Sequence, residues 1–199
     1  MRKRSKMKLV SILLAITTMI CLSSVTASAA DVTPRISQYY LAEGVGAVDY
    51  FITSSASSYS TEIGNAANNW VYTGYGYNPI YMYQTTNFGA SNMDIYAQMD
   101  GLAAGYSGVT YYVDVRTEGH VHVQPEDSLW DYGEIYLNTS YTEQMTSVYK
   151  QGVLAHEMGH VFGLDHNNDN PYSIMCQGAY GRVTETVGLA DHYGINAMY

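Results

Sequence analysis

Three of the six histidines of this 199-residue chain fall within the eleven positions of His156-Glu157-Met158-Gly159-His160-Val161-Phe162-Gly163-Leu164-Asp165-His166. Their spacing restricts the local fold more than any other feature. Residues four apart on an α-helix share one face and lie about 6 Å apart along the axis, so His156 and His160 are able to converge on one ion. Unbroken helix would carry residue 166 roughly 9 Å further along and away from that ion. The helix must therefore stop first. Gly163, with no side chain, accepts the left-handed conformation that ends a helix and reverses the chain. The expectation is a helix that ends at Gly163 and a bend that swings His166 back to the other two.

Three neutral imidazoles are a good zinc set, with ligand distances of about 2.0 to 2.1 Å and a fourth position left for water. Glu157 stands about 100° around the helix from His156, beside that position without occupying it. This is where a general base belongs, able to take a proton from a water whose pKa zinc has lowered and later to return it to the leaving amine. The competing reading, histidines on a buried helix with no metal, leaves several ring nitrogens in need of partners.

The first thirty residues have the form of a secretory leader. "MRKRSKMK" is cationic, "LVSILLAITTMICLSSVTA" is apolar and fades into small residues, and Ala27-Ser28-Ala29 suits a signal peptidase. Residues 1–29 are expected to be removed, after Ala29 or Ala30, and the protein to be secreted and extracellular. The purely apolar part is shorter than the ~20 residues that span a bilayer. Without the leader, four Lys and Arg face 18 acidic residues, a net charge of −14. That balance excludes nucleic acid and anionic membrane as partners and favours a soluble monomer. Cys176 is then the only thiol, so no internal disulfide forms.

Residues 31–47, with Pro34 and two glycines, read as an irregular lead-in, and residues 48–199 as one domain. Val48 to Thr53 reads as a strand. Ile63, Ala66, Ala67, Trp70 and Val71 form the stripe of an amphipathic helix. Strands follow in "YNPIYMYQ", in "MDIYAQM" with Met93, Ile95, Ala97 and Met99 on one face, in "TYYVDVR", in "HVHV" and in "GEIYLNTSY". Ser140 and Glu143 have the spacing of a capping box that opens the next helix. A last helix from about Thr184 places Thr186, Leu189, Ala190, Tyr193 and Ala197 on one side. The 21 tyrosines suit half-buried strand surfaces, with an aromatic binding face as the lesser reading. "NTS" at Asn138 has the form of a glycosylation acceptor but sits in a strand.

"HEMGHVFGLDH" resembles the zinc-binding consensus of the metzincin metallopeptidases, and "SIM", ending at Met175, resembles their Met-turn. Among metzincins the matrixins are the most similar, and "GLADHYGINAMY" is similar to their closing helix, with Asp191, Gly194 and Ile195 at recurring positions. The resemblance implies an α+β zincin-like domain: a twisted mixed sheet with an antiparallel edge strand, an active-site helix, a Met-turn and a C-terminal helix. It implies His156, His160 and His166 as zinc ligands, Glu157 as catalytic base and Met175 beneath the metal. The implied activity is that of a secreted zinc metalloendopeptidase acting on protein or peptide substrates. A second, structural zinc at His120 and His122 is a further implication of the family, and the acidic surface leaves carboxylates available for calcium. Asp165 and Asp169 are either acceptors that orient a histidine or solvated loop residues, and Tyr180 is a candidate for the wall of the specificity pocket. The alternative function is a non-catalytic, zinc-containing extracellular binding or adhesion module.

Overall fold

The computed structural model describes residues 32–116 and 119–199. The leader expected over 1–29 lies outside the described residues. Where apolar residues alternate with polar ones the chain runs in strands: β1 (Val48–Ile52), β2 (Met82–Thr85), β3 (Met93–Gln98), β4 (Gly108–Asp114), β5 (Val121–Val123) and β6 (Tyr132–Asn138). They form one sheet in the order β2-β1-β3-β6-β4-β5. The first four in that order are parallel, β4 is antiparallel to β6, and β5 is antiparallel to β4. The helices are α1 (Ser60–Val71), the single turn α2 (Thr139–Thr142), α3 (Ser147–Phe162) and α4 (Leu189–Met198). The fold is thus the expected metzincin-like α+β domain. No helix among the described residues is long and apolar enough to cross a membrane.

The core lies between the sheet and the pair α1 and α3. Ile63, Ala66, Ala67 and Trp70 of α1, the stripe read from the sequence, meet Leu154, Met158, Val161 and Phe162 of α3 over Ile95, Ile135 and Leu137 of the sheet. Burying each large apolar side chain contributes about 1.5 to 3 kcal/mol. Two tryptophans also pin α3 by hydrogen bonds: Trp70 Nε1 donates to Ala155 O (2.9 Å) and Trp130 Nε1 to Val161 O (2.8 Å). On the opposite face of the sheet, Tyr96 stacks on Tyr136 at 4.6 Å, Tyr136 meets Tyr111 edge-on, and Tyr111 stacks on His122. This row of rings across β3, β6, β4 and β5 accounts for part of the tyrosine excess as cross-strand packing.

The lead-in is tied to the functional end of the molecule. Ile36 bridges Leu164, Ser37 N–H donates to Gly163 O, and Asp165 N–H donates to Arg35 O. These bonds fix the chain that follows α3.

Several expectations need correction. The strand read over "YNPIYMYQ" contracts to Met82–Thr85, since Pro79 has no N–H for a ladder. Met99 is outside β3 and exposed. The strand read from Thr110 begins at Gly108. The capping box at Ser140 and Glu143 does not form: α2 ends at Thr142, α3 starts afresh at Ser147, and Ser140 Oγ accepts from Gly101 N–H. Asn138 caps α2 and is fully buried, its amide donating to Gly101 O and Tyr106 O, so the "NTS" triplet serves the fold. The buried residues of α4 are Ala190, Asp191, His192, Gly194 and Ile195, with Tyr193 and Ala197 exposed, and Thr184 and Thr186 precede the helix.

The tightest approach of helix to sheet is at Gly133, where a Cβ would lie 2.5 Å from Val161 Cγ2. Gly133→Val is therefore expected to destabilise the chain by about 3 kcal/mol through overpacking, read as a fall in the urea midpoint.

Candidate metal centre and catalytic cleft

The three histidines meet as their spacing requires. Helix α3 ends at Gly163, which has φ 102°, and the cap is closed by Gly163 N–H on His160 O and Leu164 N–H on Gly159 O, both at 2.9 Å. His166 then returns to the helix. The ligating atoms of His156, His160 and His166 all lie within 4.8 Å of one another, and this is the only group of three or more such residues able to hold a metal among the described residues.

Hydrogen bonding prepares these rings for an ion. His156 Nδ1 is 2.8 Å from Ile174 O and His160 Nδ1 is 2.9 Å from Leu164 O. A carbonyl only accepts, so each Nδ1 carries the proton and each Nε2 presents a lone pair. His160 Nε2 then faces His166 Nε2 at 3.2 Å. In the metal-free chain His166 Nε2–H donates to the His160 Nε2 lone pair; once His166 takes the other tautomer, both Nε2 atoms present lone pairs to a cation between them. A tetrahedral ion with bonds of about 2.0 to 2.1 Å holds its ligand atoms roughly 3.3 Å apart. The residues fit zinc. Burial lowers the pKa of all three imidazoles, that of His160 to about 4, which favours the neutral, ligating form at neutral pH.

Beneath the rings lies the turn at Ser173-Ile174-Met175. Buried Asp191 of α4 fastens it, accepting from Ser173 Oγ, from Ile174 N–H (2.8 Å) and from Gly188 N–H (2.8 Å). Ile174 O is the acceptor for His156, so this anchor reaches a proposed ligand through one residue. Met175 packs under α3 at Gly159, where a Cβ would collide with its sulfur. The glycine inside the histidine motif is thus required by the methionine nine residues beyond the third histidine.

Glu157 lies in the wall of a cleft of about 710 Å³ that it shares with the three histidines. Thr110 of β4 donates to Glu157 Oε2 at 2.8 Å. Gly108 leaves room for the carboxylate, since a Cβ there would lie 2.9 Å from Glu157 Oε1. Burial pushes the carboxyl up to about 7, against the Thr110 hydroxyl and the Arg182 charge, which pull it down. A carboxyl poised near neutrality suits proton transfer at physiological pH.

Other sequence expectations fare differently. Asp165 accepts from His166 N–H and Asp169 pairs with Arg35 at the surface, so backbone carbonyls and not these acids hold His156 and His160. Cys176 is buried and outside the histidine cluster. Tyr180 is exposed, and Gln177, Gly178, Ala179 and Arg182 take that side of the cleft. His120 and His122 share the outer face of the sheet but bind separately, His120 to Tyr132 Oη and His122 to Glu134. Nothing among the described residues supports a second zinc or a calcium site. Thr110, Gly108 and Arg182 were not legible as site residues, because β4 and the segment after the Met-turn reach the cleft only through tertiary packing.

The metal-free chain should show the cost of keeping these imidazoles neutral. A His with a folded-state pKa below its ordinary value loses its stabilising contribution as pH falls through that ordinary value, here 6.5, towards about 4 for His160. Glu157 acts oppositely, its contribution fading as pH rises from 4.5 to about 7. Comparison with His160→Gln isolates the histidine. Between pH 7 and pH 5 in chelator, the parent chain should lose up to about 2 kcal/mol relative to the variant in urea unfolding. Parallel pH dependences would contradict the assignment. Asp191→Ala should cost about 3 kcal/mol, because it strands buried donors, and should weaken zinc binding measured by calorimetry.

The matrixin family model matches residues 85–199, more than half of the chain and all of the histidine motif, the Met-turn and α4. Among solved structures, metalloproteinase-II from Bacteroides fragilis shares 14% identity over 80% of this chain and 54% of its own, with a TM-score of 0.38. This chain thus spans about half the length of that protein. No curated protein matches it. On the family match, the chain belongs to the matrixins, a family of zinc metallopeptidases.

Proposed function

We propose that the cleft hydrolyses internal peptide bonds of extended polypeptides, with His156, His160 and His166 holding one zinc and Glu157 acting as general base. The observation that carries this reading is the buried Glu157 carboxylate lying in one cleft with three convergent imidazoles, two of which have their Nε2 lone pairs fixed by Nδ1–H bonds to carbonyls. A zinc-containing binding module needs no such base. Zinc held there supplies a Lewis acid that polarises a carbonyl and acidifies water.

The chain supplies the rest. Thr110 orients Glu157, and the surrounding walls keep the carboxyl near neutrality, so that it takes a proton from the attacking water and passes it to the departing amine. Strand β4 offers a place for the substrate backbone. Ser107 O and Val113 O bond towards β6 and its preceding turn, so by alternation the N–H and C=O of Gly108 and Thr110 point outward. Strand β5 pairs only with Tyr112–Asp114. An extended peptide added antiparallel beside Gly108 and Thr110 would lie across the histidines.

The cationic, then apolar, amino terminus and the acidic remainder support export and an extracellular protein or peptide substrate, with a monomer and no nucleic acid or membrane partner. A casein digest with and without chelator tests the activity, and chelation should abolish it. Glu157→Ala should keep stoichiometric zinc, measured by atomic emission, and lose roughly 10³-fold or more in kcat/KM. A zinc-loaded parent chain that leaves casein intact, or an unimpaired Glu157→Ala, would defeat the reading.

A further inference from the structure

The cleft contains an ion pair that the proposed chemistry does not use. Arg182 and Glu185 follow the Met-turn, and their side chains are only 9% and 15% exposed, with Arg182 Nη2 2.9 Å from Glu185 Oε2. Both line the cleft. The carboxylate packs on α3 at Gly152, where any Cβ would collide with it. A side chain at residue 152, one turn before His156, would therefore evict the pair. Replacing a buried ion pair of this kind by apolar residues is often neutral or stabilising, so its presence in a cleft wall calls for a role.

Its hydrogen bonding is incomplete. Of the five guanidinium N–H groups, the Nη2 bond to Glu185 is the only one of full strength. Nη1 makes long contacts to Ile174 O (3.4 Å) and Cys176 O (3.5 Å), and buried Nε has no partner. Glu185 uses Oε2 for the guanidinium, and its other oxygen has no protein partner among the described residues. Donors in excess thus stand beside a spare acceptor.

The location follows from strand and helix direction. Gly108 lies against Val153 and Glu157, Thr110 against Glu157, and Gly133, the partner of Tyr112, against Val161, so β4 and α3 run the same way. A peptide antiparallel to β4 runs past the histidines towards Gly108 and the Gly152–Val153 end of α3. The side chain directly after the cleaved bond would meet that wall.

We infer that Arg182 and Glu185 make this pocket selective for a carboxamide side chain, glutamine above all, at the position directly following the cleaved bond. The carboxamide oxygen accepts from the guanidinium and its NH₂ donates to Glu185. An aliphatic side chain leaves the spare guanidinium N–H groups and the second Glu185 oxygen desolvated without a partner, and a carboxylate meets Glu185 as a like charge. This inference rests on the peptidase reading above.

The test is a set of synthetic decapeptides differing only at that position, with Gln, Glu or Leu, given to the zinc-loaded full chain. The Gln peptide is expected to exceed both others by at least about tenfold in kcat/KM. On Glu157→Ala, the uncut Gln peptide should bind about tenfold more tightly than the Leu peptide by calorimetry. Arg182→Leu/Glu185→Leu should reverse the order of Gln and Leu. If circular dichroism shows the double variant unfolded, Arg182→Lys must instead weaken the Gln preference, because it keeps the charge but loses the planar donor array. Equal or better cleavage of the Leu or Glu peptide by the parent chain overturns the inference while leaving the peptidase reading intact, as does a Gln preference that survives in the variants. Failure to cut any peptide or casein overturns both.

Discussion

The structure of the site depends on two imidazole nitrogens that are forced to face each other. His160 Nε2 and His166 Nε2 lie 3.2 Å apart because the carbonyl of Leu164 accepts a hydrogen bond from His160 Nδ1–H and Gly163 turns the chain back. Without a cation the pair is satisfied by one shared proton, and with the His166 proton moved to Nδ1 the two nitrogens offer a cation two lone pairs. The apolar packing beneath converts that local arrangement into a fixed geometry. Trp70 and Trp130 hold α3 by its carbonyls, Met175 fills the space that Gly159 leaves, and Asp191 ties the Met-turn to α4.

In the proposed mechanism, holding the ion and moving the proton fall to residues fixed from different sides. His156 and His160 are fixed from below, by the carbonyls of Ile174 and Leu164. Glu157 is fixed from the side, by Thr110 in the antiparallel strand β4. A sheet that carries this one antiparallel strand next to α3 can present an open backbone edge and a hydroxyl to Glu157 at the same time. The lead-in around Ile36 and Ser37 adds a short antiparallel pairing with the segment between Gly163 and Asp165, which steadies the bend that delivers His166.

The sequence was most legible where one segment supplies its own reason. His156, Glu157, His160, Gly163 and His166 are close in the chain, and helix geometry alone dictates their convergence. The stripe of α1 was equally plain, as were β1 and β3, because their alternation matches a half-buried surface. What was hidden depends on distant partners. Gly108 reads as loop punctuation until α3 is laid against it, and Gly152 reads as a weak helix residue until Glu185 fills its place. Ser140 and Glu143 have the right spacing for a cap, yet Asn138, already buried by its bonds to Gly101 and Tyr106, takes that role. Asp191 was marked by resemblance, and its physical task, holding the backbone that holds His156, emerged only from the packing of α4.

The most direct test of the central claim is X-ray absorption at the zinc edge of the metal-loaded chain in solution. The expected first shell has three imidazole nitrogens at about 2.0 to 2.1 Å and one water oxygen. A shell containing sulfur from Cys176, or only two imidazoles with His166 absent, would contradict it.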